Sequence, residues 1–147
     1  MIGVDDRRGE RVRKIVGLLA AAYAATFIVA VVLHFGVRIP LGFAVLDEPR
    51  RPVAILVEGM AALVLAFGAF AVIGGKDWAW AAAGWAHGLA LAGVAWGMVA
   101  IAAGRGPHTV LNDTYHRVIV VLLATSLILL LTPLGRSSFA SKRTRGW

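Results

Sequence analysis

The stretch from Pro52 to Ile73 constrains this chain most, because it is long enough to cross a bilayer and contains a single acid, Glu58. A membrane-spanning helix needs about 20 predominantly apolar residues. A carboxylate inside such a segment is costly, so it should face protein or water and have a partner. That partner is expected on another helix and at a similar depth.

The composition is typical of a membrane protein that crosses the bilayer several times. Apolar residues make up 59% of the 147 residues, and the mean hydropathy is +0.78, both above the usual range of a soluble domain. We interpret the formal net charge of +7 as topology-setting charge beside membrane helices, and not as a nucleic-acid-binding surface. The chain has no cysteine, which excludes disulfides and thiolate chemistry.

The hydrophobic runs predict one all-α domain, an antiparallel four-helix transmembrane bundle. Basic tails are expected at 1–14 and 135–147, the second disordered at its end, and no cleavable signal is indicated. The first loop is expected to form an irregular turn, and Asn112 or Asp113 to cap the fourth helix. The predicted spans cover residues of about 15–37, 52–73, 78–103 and 113–134.

Lysine and arginine are distributed unevenly between the two sides of this bundle. The two tails and the 74–77 turn hold ten of them, whereas the other two loops and their flanks hold five. Positive charge favours the cytoplasmic side. The sequence therefore predicts a multi-pass protein of the bacterial inner membrane with both termini in the cytoplasm.

Ionisable residues on three of the four spans fall at a similar level. With a helical rise of about 1.5 Å per residue, His34, Glu58 and His116 lie within roughly two turns of the outer face. Asp113 and Arg117 lie at the outer rim, where their i, i+4 spacing allows them to pair. His87 lies deeper, near the midplane. We therefore expect a polar cluster near the outer face.

The cluster admits several interpretations. It can simply fasten the helices together, or it can form a pocket that is open to the outer face. His34 and His116 could ligate a haem iron axially, and with Glu58 they could bind a divalent metal. A membrane-embedded acid is also found in proton- and ion-coupled carriers. No cofactor is predicted, and haem b and a divalent metal are kept as alternatives. No catalytic motif indicates an enzyme.

The third span is rich in glycine. Two pairs are spaced four residues apart, a pattern that allows close helix approach in membranes. We expect this face to contact another helix, either within the monomer or in a partner protein or second copy of the chain. The residues are Gly84, Gly88, Gly93 and Gly97.

The segment VEGMAAL at 57–63, followed by a short turn and a glycine- and alanine-rich third span, resembles the DoxX-like group of small four-helix bacterial membrane proteins. The similar part covers about half of the chain. The resemblance implies a four-helix membrane fold, and some members of the group act as membrane partners of redox proteins. The resemblance supports the fold more than a function. The leading expectation for the function is a non-enzymatic accessory or partner-binding subunit. The alternative is a binder or carrier of a small ligand, ion or haem.

Overall fold

The computed structural model describes residues 3–106 and 108–140, and it shows an almost entirely helical chain. Four helices are long and apolar enough to cross a membrane, which confirms the prediction of an all-helical, multi-pass membrane protein. A two-stranded ribbon, β1 (Ile39–Pro40) with β2 (Val45–Leu46), follows the first helix. The helices are α1 (Gly3–His34), α2 (Pro52–Ile73), α3 (Ala79–Ala102), α4 (Val110–Leu131) and α5 (Pro133–Phe139).

The ends of α1 and α4 differ from the sequence expectation. α1 begins at Gly3, so most of the expected basic tail continues the first helix, where Glu10 and Lys14 form an i, i+4 ion pair of 2.8 Å. α4 begins at Val110 because the Thr109 hydroxyl accepts a hydrogen bond from the Asn112 N–H at 3.0 Å. Threonine, asparagine and aspartate are all suitable caps, so the sequence did not distinguish Thr109 from the two residues expected.

The first loop is ordered into the short ribbon, which corrects the expectation of an irregular turn. Ile39 pairs with Leu46 and Pro40 with Val45 in an antiparallel register. Gly42, at φ +83°, takes the left-handed conformation that the turn requires and that glycine adopts readily. Folding the loop back in this way brings its second half, including the buried Glu48, against the helix ends.

The segment after α4 forms a further short helix, α5, where the sequence suggested the start of a tail. Thr132 caps it by accepting from the Gly135 N–H at 3.1 Å, and Pro133 occupies its first turn. The Trp80 indole N–H donates to the Leu130 carbonyl at 3.0 Å, and the Arg136 guanidinium lies 5.3 Å from the Trp80 ring centroid. The hydrogen bond joins α3 to the end of α4, and the Arg136 contact joins α5 to α3. The expected disorder at 141–147 lies outside the described residues.

Consecutive helices pack together through small side chains. α2 lies against both α1 and α3, and a Cβ added at Gly68 would lie 2.9 Å from the Ala86 Cβ on α3. α1 and α4 meet instead through longer side chains, including a 2.9 Å hydrogen bond between the Tyr23 and Ser126 hydroxyls. The α1–α4 pair therefore leaves more room between its helices than the α2–α3 pair.

The close approach at Gly68 predicts that Gly68→Ala destabilises the protein. The added methyl group overlaps Ala86, and overpacking of this kind costs about 1–3 kcal/mol. Gly84→Ala is the matched control, because a Cβ there meets nothing within 4 Å and alanine favours the helix by about 1 kcal/mol. Thermal unfolding of both variants in detergent measures the difference. Equal midpoints for the two variants would contradict the tight packing of α2 on α3.

Candidate functional site

The acid of the second span meets a histidine of the first. Glu58 Oε1 lies 3.6 Å from His34 Nε2, and the two side chains are only 6% and 5% exposed. The other ring nitrogen of His34, Nδ1, donates to the Pro49 carbonyl at 3.2 Å. Pro49 lies in the loop that leads into α2, so the loop fixes the orientation of the imidazole toward Glu58. The structure thus supplies a partner for the buried carboxylate.

This His34–Glu58 pair borders two cavities. The larger one, named here the α2–α3 cavity, has a volume of about 400 Å³. Two of its lining residues, Val53 and Trp96, are 69% and 64% exposed, so the cavity reaches the outer surface of the bundle between α2 and α3. Its lining also includes Val57, Glu58, Gly93, Gly97, Ala100, Arg105, Asn112 and His116.

The smaller cavity, named here the α1–α4 cavity, has a volume of about 230 Å³ and occupies the wider gap between those helices. His34, Glu58 and Asn112 line both cavities. These three side chains therefore stand between the two spaces. The remaining residues of the smaller lining are Thr26, Val29, Ala30, Leu33, Leu46, Glu48, Leu111 and Tyr115.

His116 lies in the lining of the α2–α3 cavity, as do His34 and Glu58. Its Nδ1 donates to the Asn112 carbonyl at 2.8 Å, which leaves Nε2 as the second hydrogen-bonding nitrogen of the ring. Nε2 lies 3.4 Å from the position of a Cβ added at Gly97. The glycine thus gives the imidazole room against α3. Of the residues expected in the cluster, the structure brings His34, Glu58 and His116 to one cavity.

The other three candidate residues lie elsewhere. Asp113 pairs with His108 at 3.5 Å, and not with Arg117 as the i, i+4 spacing allowed. The loop before α4 brings His108 to Asp113, while Arg117 is exposed on the surface of α4. His87 is fully buried and its Nδ1 donates to the Ala83 carbonyl at 2.8 Å. Its ring contacts Tyr23 edge-on in the core, with centroids 5.9 Å apart.

Sequence reasoning missed the buried Glu48. This side chain is 5% exposed, and its Oε1 accepts a hydrogen bond from the Thr109 hydroxyl. The same hydroxyl caps α4, so one side chain joins the first loop to the start of the fourth helix. Glu48 stands beside Asp47, Arg50 and Arg51 in a polar loop, where no periodicity marks one acid as buried. Glu48 is buried because the ribbon folds the first loop back over the helix ends.

The described part of the chain contains no group of three or more His, Asp or Glu side chains arranged to hold a metal ion. The two ring nitrogens of His34 are directed at Pro49 and Glu58, so its imidazole serves to orient the acid. The polar side chains of the α2–α3 cavity can accept hydrogen bonds from a bound molecule and donate hydrogen bonds to it. The rest of that lining is mostly apolar.

Fold and site together define a multi-pass membrane protein with a buried Glu–His pair between two cavities. No protein-family model, curated protein or solved structure matches the chain.

The buried pair predicts strong energetic coupling between His34 and Glu58. In a double-mutant cycle with His34→Asn and Glu58→Gln, we expect a coupling energy of about 0.5–3 kcal/mol, since contacting buried groups are not additive. His34→Asn should be the more destabilising single change, because it leaves a buried carboxylate without its partner. Unfolding of the four proteins in detergent provides the measurement.

The exposed pair Arg38–Asp47, 2.9 Å apart with side chains 74% and 44% exposed, is the control cycle. Its coupling should fall near the 0–1 kcal/mol of surface ion pairs. Additive effects at His34 and Glu58 would show that the two side chains do not interact in the folded protein.

Proposed function

We propose that the protein spans the bacterial inner membrane as an antiparallel bundle with both termini in the cytoplasm. Two contacts between α2 and α3 support the antiparallel order, because Val57 lies beside Gly93 whereas Gly68 lies beside Ala86. Residue numbers thus rise along one helix as they fall along the other. The excess of lysine and arginine in the tails and the 74–77 turn supports the orientation.

Within this topology the protein acts as a binder of a small, lipid-soluble molecule in the α2–α3 cavity. The observation that carries this proposal is the cavity itself, about 400 Å³ in volume and lined by His34, Glu58 and His116. A pair that served only to fasten helices would be expected in a closed core. Ligand pockets instead have volumes of about 300–1,000 Å³ and mostly apolar walls with a few polar groups, as this cavity has.

The lining indicates the chemistry of the ligand. Val57, Trp96 and Ala100 offer apolar surface, while Arg51, Arg105 and His116 are polar side chains of the same lining. These features suit a molecule with an apolar body and a hydrogen-bonding head. The exposed positions of Val53 and Trp96 place the mouth on the side of the bundle, where a ligand dissolved in the hydrocarbon can reach it.

A second candidate function is that of an accessory or partner-binding subunit, in line with the resemblance to the DoxX-like group. Gly93 and Gly97 face Val57 and His116 within the monomer, whereas a Cβ added at Gly84 or Gly88 meets nothing within 4 Å. The first glycine pair of α3 is therefore open to another helix, either from a second copy of this chain or from a membrane partner.

Filling the α2–α3 cavity should prevent ligand binding. Ala100 lines the cavity, so Ala100→Phe places a ring in the ligand space, whereas Ala95→Phe adds the same ring to an exposed position of α3. Native mass spectrometry of protein purified in its own lipids is expected to show a bound small molecule in wild type and Ala95→Phe. The molecule should be lost from Ala100→Phe.

The same spectra separate the two candidate functions. Retention of an equal bound mass by both variants, or no bound molecule in wild type, would contradict ligand binding in this cavity. A mass of two chains, or of this chain with another protein, that persists in Ala100→Phe and is lost in Gly84→Leu would favour the subunit function.

The proposed orientation predicts opposite accessibility of two exposed positions in this cysteine-free chain. Phe43, 91% exposed at the ribbon turn, should lie outside, and Lys76, exposed in the turn between α2 and α3, should lie inside. In intact cells a membrane-impermeant thiol reagent should label Phe43→Cys, and should label Lys76→Cys only after the cells are opened. The reverse pattern would overturn the orientation.

A further inference from the structure

Two arginines lie together at one end of the α2–α3 cavity. Arg51 directly precedes α2 and Arg105 follows α3, and both side chains belong to the lining. The Arg51 guanidinium donates to the Arg105 carbonyl at 3.3 Å, so the two residues are neighbours. They place positive charge at the end of the cavity that faces the loops.

The protein does not neutralise either guanidinium. Among the described residues, no carboxylate lies within ion-pair distance of Arg51 or Arg105. A guanidinium carries five N–H donors, and the Arg105 carbonyl occupies one donor of Arg51. Arg51 is half-buried and Arg105 is exposed. Both side chains therefore have donors left for a bound molecule.

The acid of this lining is directed away from the arginines. Glu58 is the single acid among the described residues that line the cavity. Its Oε1 faces His34 Nε2 at 3.6 Å and its Oε2 is buried. It lies about 9 Å along α2 from Pro52, at a rise of about 1.5 Å per residue. The arginine end of the cavity thus keeps its positive charge.

The cavity extends from the arginines along the two helices. Its lining runs from Pro52 to Ala61 on α2 and from Ile101 back to Gly93 on α3, a depth of about 12–14 Å at the helical rise. The residues at the deep end, such as Ala61 and Val94, are apolar. The space therefore has a positive end and an apolar interior.

The start of α2 adds to the positive potential of the arginine end. Pro52, Val53 and Ala54, in the first turn of the helix, line the cavity. The first N–H groups of a helix have no acceptor within it, and no side chain caps α2. The helix dipole also places partial positive charge at this terminus. An anionic group is therefore favoured beside the two arginines.

We propose that the α2–α3 cavity binds an anionic amphiphile with a single alkyl chain, whose carboxylate or phosphate head lies beside Arg51 and Arg105. This ligand class rests on the proposed function of the same cavity and makes it more specific. Guanidinium donors match the oxygens of both kinds of head. The volume of about 400 Å³ is near the lower end of the range for ligand pockets, about 300–1,000 Å³, which favours one chain. The chain can enter from the hydrocarbon through the mouth at Val53 and Trp96.

The test is isothermal titration of the purified full chain in a neutral detergent. Dodecanoate and dodecyl phosphate present the two anionic heads, whereas dodecanol and dodecylammonium present a neutral and a positive head on the same chain. We expect saturable binding of at least one anion, about tenfold or more tighter than that of dodecanol, because charge-assisted hydrogen bonds are gained. The tighter of the two anions identifies the head as carboxylate or phosphate. Acetate and inorganic phosphate, which lack the chain, should bind about tenfold or more weakly.

Three variants locate the two parts of the ligand. Arg105→Gln should weaken the binding of the tighter anion by about tenfold or more and leave that of dodecanol unchanged, because it removes a charge from the lining. Arg117→Gln, which removes an exposed charge of α4 outside the lining, should bind as wild type does. Ala100→Phe should lose both the anion and dodecanol, because its ring occupies the space of the chain.

Binding of dodecanol or dodecylammonium as tight as that of the anions would overturn the anionic head, and so would Arg105→Gln that binds like Arg117→Gln. If Ala100→Phe still loses dodecanol in that case, ligand binding in the cavity stands and the head alone is wrong. Wild-type binding by Ala100→Phe would contradict the proposed function as well.

Binding of acetate or inorganic phosphate as tight as that of the long-chain anions would assign the arginines to a free anion and overturn the amphiphile. Size-exclusion chromatography checks the folding of each variant. If Arg105→Gln does not fold, the comparison of the four heads on wild type decides the question.

Discussion

A carboxylate placed among apolar helices must be surrounded by protein groups, because hydrocarbon offers it no hydrogen bonds. In this chain Glu58 meets His34, which is itself oriented by the Pro49 carbonyl. These two contacts link α2, the end of α1 and the first loop at one point. The ribbon before Pro49 then brings Glu48 inward, where it joins the loop to the N-terminus of α4 through Thr109. The end of the bundle that contains the first loop is thus built around its acids.

Packing density varies across the bundle in a way that leaves space beside these acids. Glycine and alanine bring α2 and α3 together at Gly68, toward the other end of α2 from Glu58. Nearer the polar groups, Gly93, Gly97 and Ala100 line the α2–α3 cavity instead of filling it. Between α1 and α4 the helices are held by Tyr23 and Ser126 and by aromatic contacts of Phe27 with Tyr115. Both cavities therefore lie at the level of Glu58, on either side of its pair with His34.

The two cavities differ in the chemistry that they offer. The larger one opens on the side of the bundle and has arginine, histidine and glutamate residues among mostly apolar walls. The smaller one has two carboxylates and no lysine or arginine among the described residues. Glu58 lies in the lining of both cavities. A molecule that changes the position or charge of Glu58 would therefore affect both spaces.

The sequence alone determined the four apolar spans, because a run of about 20 apolar residues has few alternatives to a membrane helix. It also indicated that Glu58 needs a partner and placed His34 and His116 at its depth, since helical rise converts residue number into height. It could not show that Asp113 pairs with His108, that Thr109 caps α4, or that Glu48 is buried. Those outcomes depend on how the loops fold back over the helix ends, and loop paths carry no periodicity. The two cavities likewise exist only in three dimensions, because they are set by the spacing between helices.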